Sequence, residues 1–207
     1  MTADHSPGRY APARRMDVVV LQFGGRRVPR PLADLPVVSV TAPSDVDETA
    51  EARRVVVLGT FADLATVLTR LLRIDRLDVE VAFVSRRWSA RRARTGAAQR
   101  VPLIRDETGT VIVGYAEWVG TPLHGEAVVD DTVLFSGEVA GVRIEPTPTT
   151  PGLRAAVTGA GRPRWVAGRA AQLGTTGATV VRDGVAATRP VKRSTFYRHT
   201  TGWLSVR

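Results

Sequence analysis

Unbroken apolar runs and helical spacing meet near residue 59, and the first half of the chain can be read outward from there. Residues 55–58 (Val, Val, Val, Leu) are continuously apolar, as in a strand buried on both faces. Gly59 ends the run. From Ala62 the period changes: Leu64, Val67, Leu68, Leu71 and Leu72 fall on one helical face, and Thr60 with Asp63 is placed to cap the first turn. This predicts a strand, a tight turn and a helix, an arrangement in which anionic ligands meet a helix N-terminus. Upstream, residues 17–21 read as a buried strand closed by Gly24 and Gly25, and 37–40 as a second strand. Residues 41–53 are polar and acidic, a loop or a short exposed helix. Residues 77–84 alternate as a further strand, and the arginine-rich stretch 86–100 reads as a loop with at most a turn or two of helix, near the same sheet edge as Gly59. Strands separated by crossovers predict a Rossmann-like parallel sheet.

Beyond Pro102 helical spacing disappears. Short β-type runs recur at 110–115, 127–135, 138–145, 153–158, 179–185 and 203–206, which predicts an antiparallel sandwich or barrel. The expected organisation is a flexible tail at 1–15, a Rossmann-like parallel α/β half at 16–105, and an antiparallel β-sandwich half at 106–207 packed against it. The stretch 189–199 interleaves basic groups with Phe196 and Tyr197; it suits an edge strand with one aromatic in the core, or a surface that stacks and charge-pairs with single-stranded nucleic acid.

Composition narrows the chemistry. The 207 residues include no cysteine, which excludes disulfides, thiolate zinc sites and cysteine nucleophiles together. No apolar run approaches the length of a transmembrane segment, and the first 15 residues lack the apolar core of a signal peptide, so a cytoplasmic location is expected. The net charge is +9, and Lys192 is the only lysine among 29 basic residues. Arginine suits phosphate because its planar fork reaches two oxygens. Acidic residues gather at Asp45, Asp47, Glu48 and Glu51, whereas Arg86, Arg87, Arg91, Arg92, Arg94, Arg100 and Arg105 follow with no acid between them. That basic run is a solvated face or a site for nucleotide, nucleic acid or anionic membrane.

Candidate reactive groups are few. Asp63 lies beside the Gly59 turn and can act chemically or only as a cap. Asp130 and Asp131 fall within a β-type run, where neighbours point to opposite faces, so they cannot work side by side; either is a turn residue or a lone Mg²⁺ ligand. His124 reads as a turn residue. No Gly-x-Ser-x-Gly elbow is present, and Trp88, Trp118, Trp165 and Trp203 are too dispersed to mark a site.

The order of elements resembles the fold shared by bacterial diacylglycerol kinases, sphingosine-type lipid kinases and NAD kinases. In those families the central strand enters a Gly-Gly-Asp-Gly-Thr loop that holds ATP phosphates. The run VVLGTFADL at 56–64 is in that register. The run FSGEVAGVRIEP at 135–146 with Pro151, Gly152 and Leu153 is similar to a lipid-kinase β segment, and VVRDG at 180–184 resembles its late strand ending in Asp-Gly. Only Gly59 keeps a loop glycine: Thr60 and Ala62 take the other two places, Phe61 stands at the loop aspartate, and Val185 stands where lipid kinases commonly have glutamate. Chains of this kind are sometimes loosely called metallopeptidases, but a zinc peptidase needs two helical histidines four apart around a glutamate, and His124-Gly125-Glu126 does not supply them. No metal site is expected.

The resemblance implies binding of ATP or another nucleotide, with Mg²⁺, or of another phosphorylated small molecule, through Gly24, Gly25, Gly59, Thr60, Asp63 and Arg91, with little or no catalysis. The alternatives are an active lipid or NAD-type phosphotransferase using Asp63, Asp131 or Asp183, and a basic adaptor for nucleic acid, an anionic membrane or a partner protein. Oligomeric state is left open.

Overall fold

Alternation within short apolar strands sends successive residues to opposite faces, and here both faces are covered. The computed structural model describes residues 17–85, 89–159 and 161–206. The tail 1–15, Met16, Arg86, Arg87 and Trp88 lie outside the described residues. β1 (Val18–Phe23), β2 (Val37–Val40), β3 (Arg54–Leu58) and β4 (Glu80–Phe83) pair in parallel, with β3 buried at every position. Val19, Leu21, Val55, Val57 and Val81 face Leu64, Val67, Leu68 and Leu71 of α1 (Phe61–Arg73). Val18, Val20, Val56, Leu58 and Ala82 face the other way, onto Leu32 and onto Ala90 and Ala93 of α2 (Ala90–Thr95). Two-sided burial is why these strands read as continuous rather than alternating apolar runs. The polar segment before β3 is a 3₁₀ helix, Pro43–Thr49, which buries Val46 and Thr49; its Asp47 pairs with Arg70 of α1.

Arg54 is only 4% exposed, and its guanidinium pairs with Glu80 while donating to the carbonyls of Ala93, Arg94 and Gly96 at the C-terminal end of α2. A buried cation is tolerable only when its donors are so satisfied. The short helix expected in the arginine-rich stretch is therefore anchored by an arginine from β3, and its own Arg94 pairs with Asp34.

Beyond β5 (Ala98–Val101) the chain builds the second sheet. Its strands are β6 (Ile104–Asp106), β7 (Val111–Ile112), β8 (Ala116–Val129), β9 (Thr132–Pro146), β10 (Leu153–Thr158), β11 (Val166–Gly168), β12 (Ala170–Arg182), β13 (Val185–Ala186) and β14 (Val191–Arg198). Among the described residues they form a nine-stranded curled antiparallel sheet ordered β11-β10-β9-β8-β12-β14-β6-β7, with β13 on β12. It closes around Trp118, Leu123, Ile144, Leu153 and Phe196; Trp118 and Phe196 lie 5.9 Å apart, and the indole donates to Ser194. The two sheets meet at α1, where Thr69 Oγ1 accepts the Val111 N–H at 3.0 Å. The fold is thus a parallel α/β half packed against an antiparallel β half. No helix among the described residues is long and apolar enough to cross a membrane.

Several elements differ from expectation. The last strand, β15 (Trp203–Val206), does not join the antiparallel sheet that its short β-type run suggested; it lies between β4 and β5, giving the first sheet the order β2-β1-β3-β4-β15-β5. A run of four residues carries no mark of its distant partner. The run 127–135 is interrupted by Asp130 and Asp131, which form the two-residue turn of the β8–β9 hairpin, in keeping with their reading as turn residues; Asp130 has φ 52°, which Asp tolerates better than most residues. The run 179–185 breaks at Asp183 and Gly184, both with positive φ. His124 is an exposed strand residue of β8 rather than a turn residue. β14 is not an edge strand: β12 and β6 flank it, and Phe196 is fully buried.

Candidate functional site

Thr60 caps α1 with its side chain and Asp63 returns the bond. The Asp63 N–H donates to Thr60 Oγ1 at 3.2 Å, while Asp63 Oδ2 accepts from the Thr60 N–H at 2.7 Å and the Thr60 hydroxyl at 2.8 Å. This is the reciprocal capping box that Thr60 and Asp63 predicted. It turns the Asp63 carboxylate back onto the turn, where a Cβ at Gly59 would stand 2.6 Å from Oδ2. Leu64 is the first to donate to Thr60 O, so the amides of Phe61 and Ala62 have no intrahelical acceptor. Phe61 is 51% exposed, its ring tilted against Phe83 at 5.3 Å.

Across from this turn the antiparallel sheet contributes Asp183. Its carboxylate accepts the backbone N–H groups of Val113 (3.0 Å), Gly114 (2.6 Å) and Tyr115 (3.0 Å). Burial pushes its pKa above the ordinary carboxylate value, and the three N–H donors oppose that rise. Gly114 is where the halves converge: a Cβ there would lie 2.9 Å from Asp183 Oδ1 and 3.2 Å from Phe61 Cδ2. Beside it, Arg182 pairs at 2.6 Å with Asp106, which is 0% exposed and also accepts from the Thr108 and Thr110 N–H groups. Asp106 escaped the sequence reading. Its signal was the run DETGT at 106–110, an aspartate followed by small polar residues that fold back onto it.

Between these elements is a cleft of about 330 Å³, floored by Ala62, Ala65 and Thr69 of α1 and walled by Arg182, Val185 and Ala187. Its small helical side chains leave the space open. Val185 is 60% exposed.

The remaining predicted site residues are spread unevenly. Gly24 and Gly25 share the carboxyl edge of the parallel sheet with Gly59, because Gln22 of β1 is level with Leu58 of β3. Both have positive φ, and a Cβ on either would meet nothing within 4 Å. Arg91 is exposed on α2 and makes no ion pair among the described residues. Asp131 stands at the Val129 end of β8, whereas Asp183 follows Arg182, which pairs with Ala116 at the other end. The structure therefore gathers Gly59, Thr60, Phe61, Asp63 and Asp183, keeps Gly24 and Gly25 on the same edge, and leaves Asp131 apart. No group of three metal-binding side chains occurs among the described residues.

No family model matches this sequence, and no curated protein does. Solved structures do match. A diacylglycerol kinase from Bacillus anthracis str. Sterne superimposes with a TM-score of 0.70 at 9% identity, covering 94% of this chain and 98% of that one. An NAD kinase from Archaeoglobus fulgidus in complex with ATP gives 0.63 at 12% identity, covering 92% and 93%. Yeast NADH kinase complexed with NADH gives 0.55 at 7%, covering 93% and 84%. The chain has the two-part fold of these kinases.

Proposed function

We propose that this protein binds a nucleotide or another phosphorylated small molecule at the Gly59 turn and in the adjoining cleft, with little or no phosphoryl transfer. The reading rests on Phe61 and Val185, both solvent-exposed, which by the resemblance to lipid and NAD kinases stand where those families carry carboxylates. The neighbouring acids are already committed, Asp63 to its cap, Asp183 to three backbone N–H groups and Asp106 to Arg182. The donor set offers phosphate the amides of Phe61 and Ala62 and the positive end of α1, and the open glycine turn at Gly24 and Gly25 lets a ligand approach backbone. Thr60 shapes the turn, and Arg91, exposed on α2, is the cation we assign to the ligand. ATP's phosphates suit these groups; Mg²⁺ ordinarily adds one or two carboxylates to its phosphate and water ligands, and here Asp63 and Asp183 already accept backbone N–H groups.

The fold shared with an ATP-bound NAD kinase and an NADH-bound kinase supports a nucleotide as ligand. A thermal-shift panel of nucleotides, NAD and anionic lipids, each with and without Mg²⁺, tests the reading. A ligand at a hundred times its Kd stabilises the folded state by about 2.7 kcal/mol, roughly 5–10 °C for a chain of this size. At least one nucleotide is expected to raise the melting temperature without Mg²⁺. If none does and polyanions do, the basic-adaptor reading replaces this one.

A further inference from the structure

Of the 22 arginines among the described residues, eight form ion pairs with carboxylates. One cavity gathers three of the others. It measures about 440 Å³, lies between the two halves, and is lined by Arg100, Arg169, Arg198 and His199 with Thr150 and Thr200. None of the three arginines makes an ion pair among the described residues. Arg100 donates instead to the Gly202 carbonyl and Arg198 to the Pro151 carbonyl. A carbonyl orients a guanidinium without cancelling its charge, so these side chains are held in place while remaining fully cationic. Gly152, at φ 122°, lets the Arg198 stem pass; a Cβ there would meet Arg198 Cδ at 2.8 Å. Arg169 is exposed, and its side chain makes no hydrogen bond or ion pair among the described residues.

The acids nearby do not line the cavity. Asp130 accepts from the backbone N–H groups of Arg169 and Ala170. Asp78 is paired with Arg76 and acts on Arg100 only through its charge. Asp75 and Arg105 act on His199 in opposite senses. The cavity also lies away from the Gly59 turn. Gly202 leads into β15, whose Leu204 is level with Glu80, itself level with Arg54, so this is the amino edge of the parallel sheet and Gly59 is at the carboxyl edge.

Cations converging on a concave surface without acids create a potential that an anion relieves. We propose that this cavity is a second anion site, which takes a phosphate-bearing small molecule through Arg100, Arg169 and Arg198, with His199 in its wall. Its volume is that of a small-ligand pocket, and its arginines face inward on one cavity rather than following a stripe, which favours a compact ligand over a nucleic-acid strand. Paired arginine forks on phosphate oxygens supply the binding.

The test is calorimetry of the full chain with inorganic tripolyphosphate at low salt, with melting temperatures recorded for every variant. Arg169→Gln removes no side-chain hydrogen bond or ion pair among the described residues, so it should fold normally and weaken binding about tenfold, the scale of one charge-assisted hydrogen bond. Arg100→Gln should do likewise. The control Arg162→Gln/Arg164→Gln removes more charge from another exposed surface and should change affinity less than twofold. In NMR spectra the His199 imidazole signals, assigned with His199→Gln, should shift on tripolyphosphate addition. The proposal is overturned by any of four outcomes: no binding, affinity unaffected by Arg169→Gln, an equal loss in the control, or loss in Gly59→Val with Arg169→Gln silent. The last would place the anion at the Gly59 turn, so the two sites stand or fall separately.

Discussion

Gly59 and Asp63 compete for one volume: a Cβ at residue 59 would lie 2.6 Å from Oδ2 and 2.7 Å from Cβ of Asp63. The glycine is required by the folded-back carboxylate of the capping box, not by a left-handed backbone.

The relationship predicts non-additivity. Gly59→Ala should cost about 1–3 kcal/mol through overpacking, and Asp63→Gly about 1–2 kcal/mol through the lost cap and the freer backbone. The double variant should cost less than the sum by about 1 kcal/mol, because the second change removes the clash made by the first. Urea midpoints of the four proteins measure this. Strict additivity would show that residue 59 is glycine for another reason, such as ligand approach. Gly59→Val is expected to abolish binding of whichever nucleotide the thermal-shift panel identifies; stability lost with affinity intact would remove phosphate from this turn.

Purified protein should show no appreciable ATP-dependent phosphorylation of diacylglycerol or NAD. A phenyl ring neither holds a metal nor accepts a proton, and Val185 is equally inert. Product formation followed by mass spectrometry decides the matter. Mg²⁺-dependent turnover that disappears in Asp63→Asn or Asp183→Asn would establish the active-enzyme alternative. Phe61→Asp places a carboxylate at an exposed position of the first helical turn and is expected to leave stability within about 1 kcal/mol.

Asp183→Ala should destabilise by about 2–3 kcal/mol, because three backbone N–H groups lose their acceptor and alanine must adopt φ 47°. Asp183→Asn tolerates that φ and keeps one acceptor oxygen, so about 1 kcal/mol is expected. The pH dependence has a definite sign. Burial raises the native pKa above the ordinary 3.8, so the burial penalty is absent below that value and stability from this group is lost as pH rises through the native titration. Denaturant midpoints should show this component flattened in Asp183→Asn.

His199 should titrate in the opposite sense. Burial, reinforced by Arg105 and opposed by Asp75, lowers its pKa from the ordinary 6.5. Its contribution to stability is present above pH 6.5 and is lost as pH falls through the native titration, since the unfolded chain takes up the proton first. His199→Gln should remove that slope between pH 7.5 and about 5. An unchanged slope would contradict a half-buried imidazole whose charging is disfavoured.

Local patterns were legible where one element supplied its own signal. Val55, Leu64 and Leu68 announced a two-sided strand and an amphipathic helix, and Thr60 with Asp63 announced the cap between them, so the turn at the centre of the candidate site was readable. What could not be read depends on distant partners. The Gly- and Thr-rich first part of β12 lacks β-branched alternation and is held by β8 and β14, which flank it. Arg54 reads as an ordinary surface cation until Glu80 and the carbonyls at the end of α2 are known. The basic cavity draws Arg100, Arg169 and Arg198 from segments far apart in sequence, and the sequence reading stopped at the local arginine run from 86 to 105.

The position of β15 has a consequence for how the protein is made. β5 is joined to the parallel sheet only through Trp203–Val206, although it is synthesised about a hundred residues earlier. During translation the α/β half must therefore wait with an unfinished border, its backbone donors and acceptors at 98–101 satisfied by water, while the whole antiparallel sheet emerges. The last strand then slots between β4 and β5 like a closing stitch. The α/β half is not a finished folding unit before that moment, and an incomplete product would carry an open strand edge available for pairing with another chain.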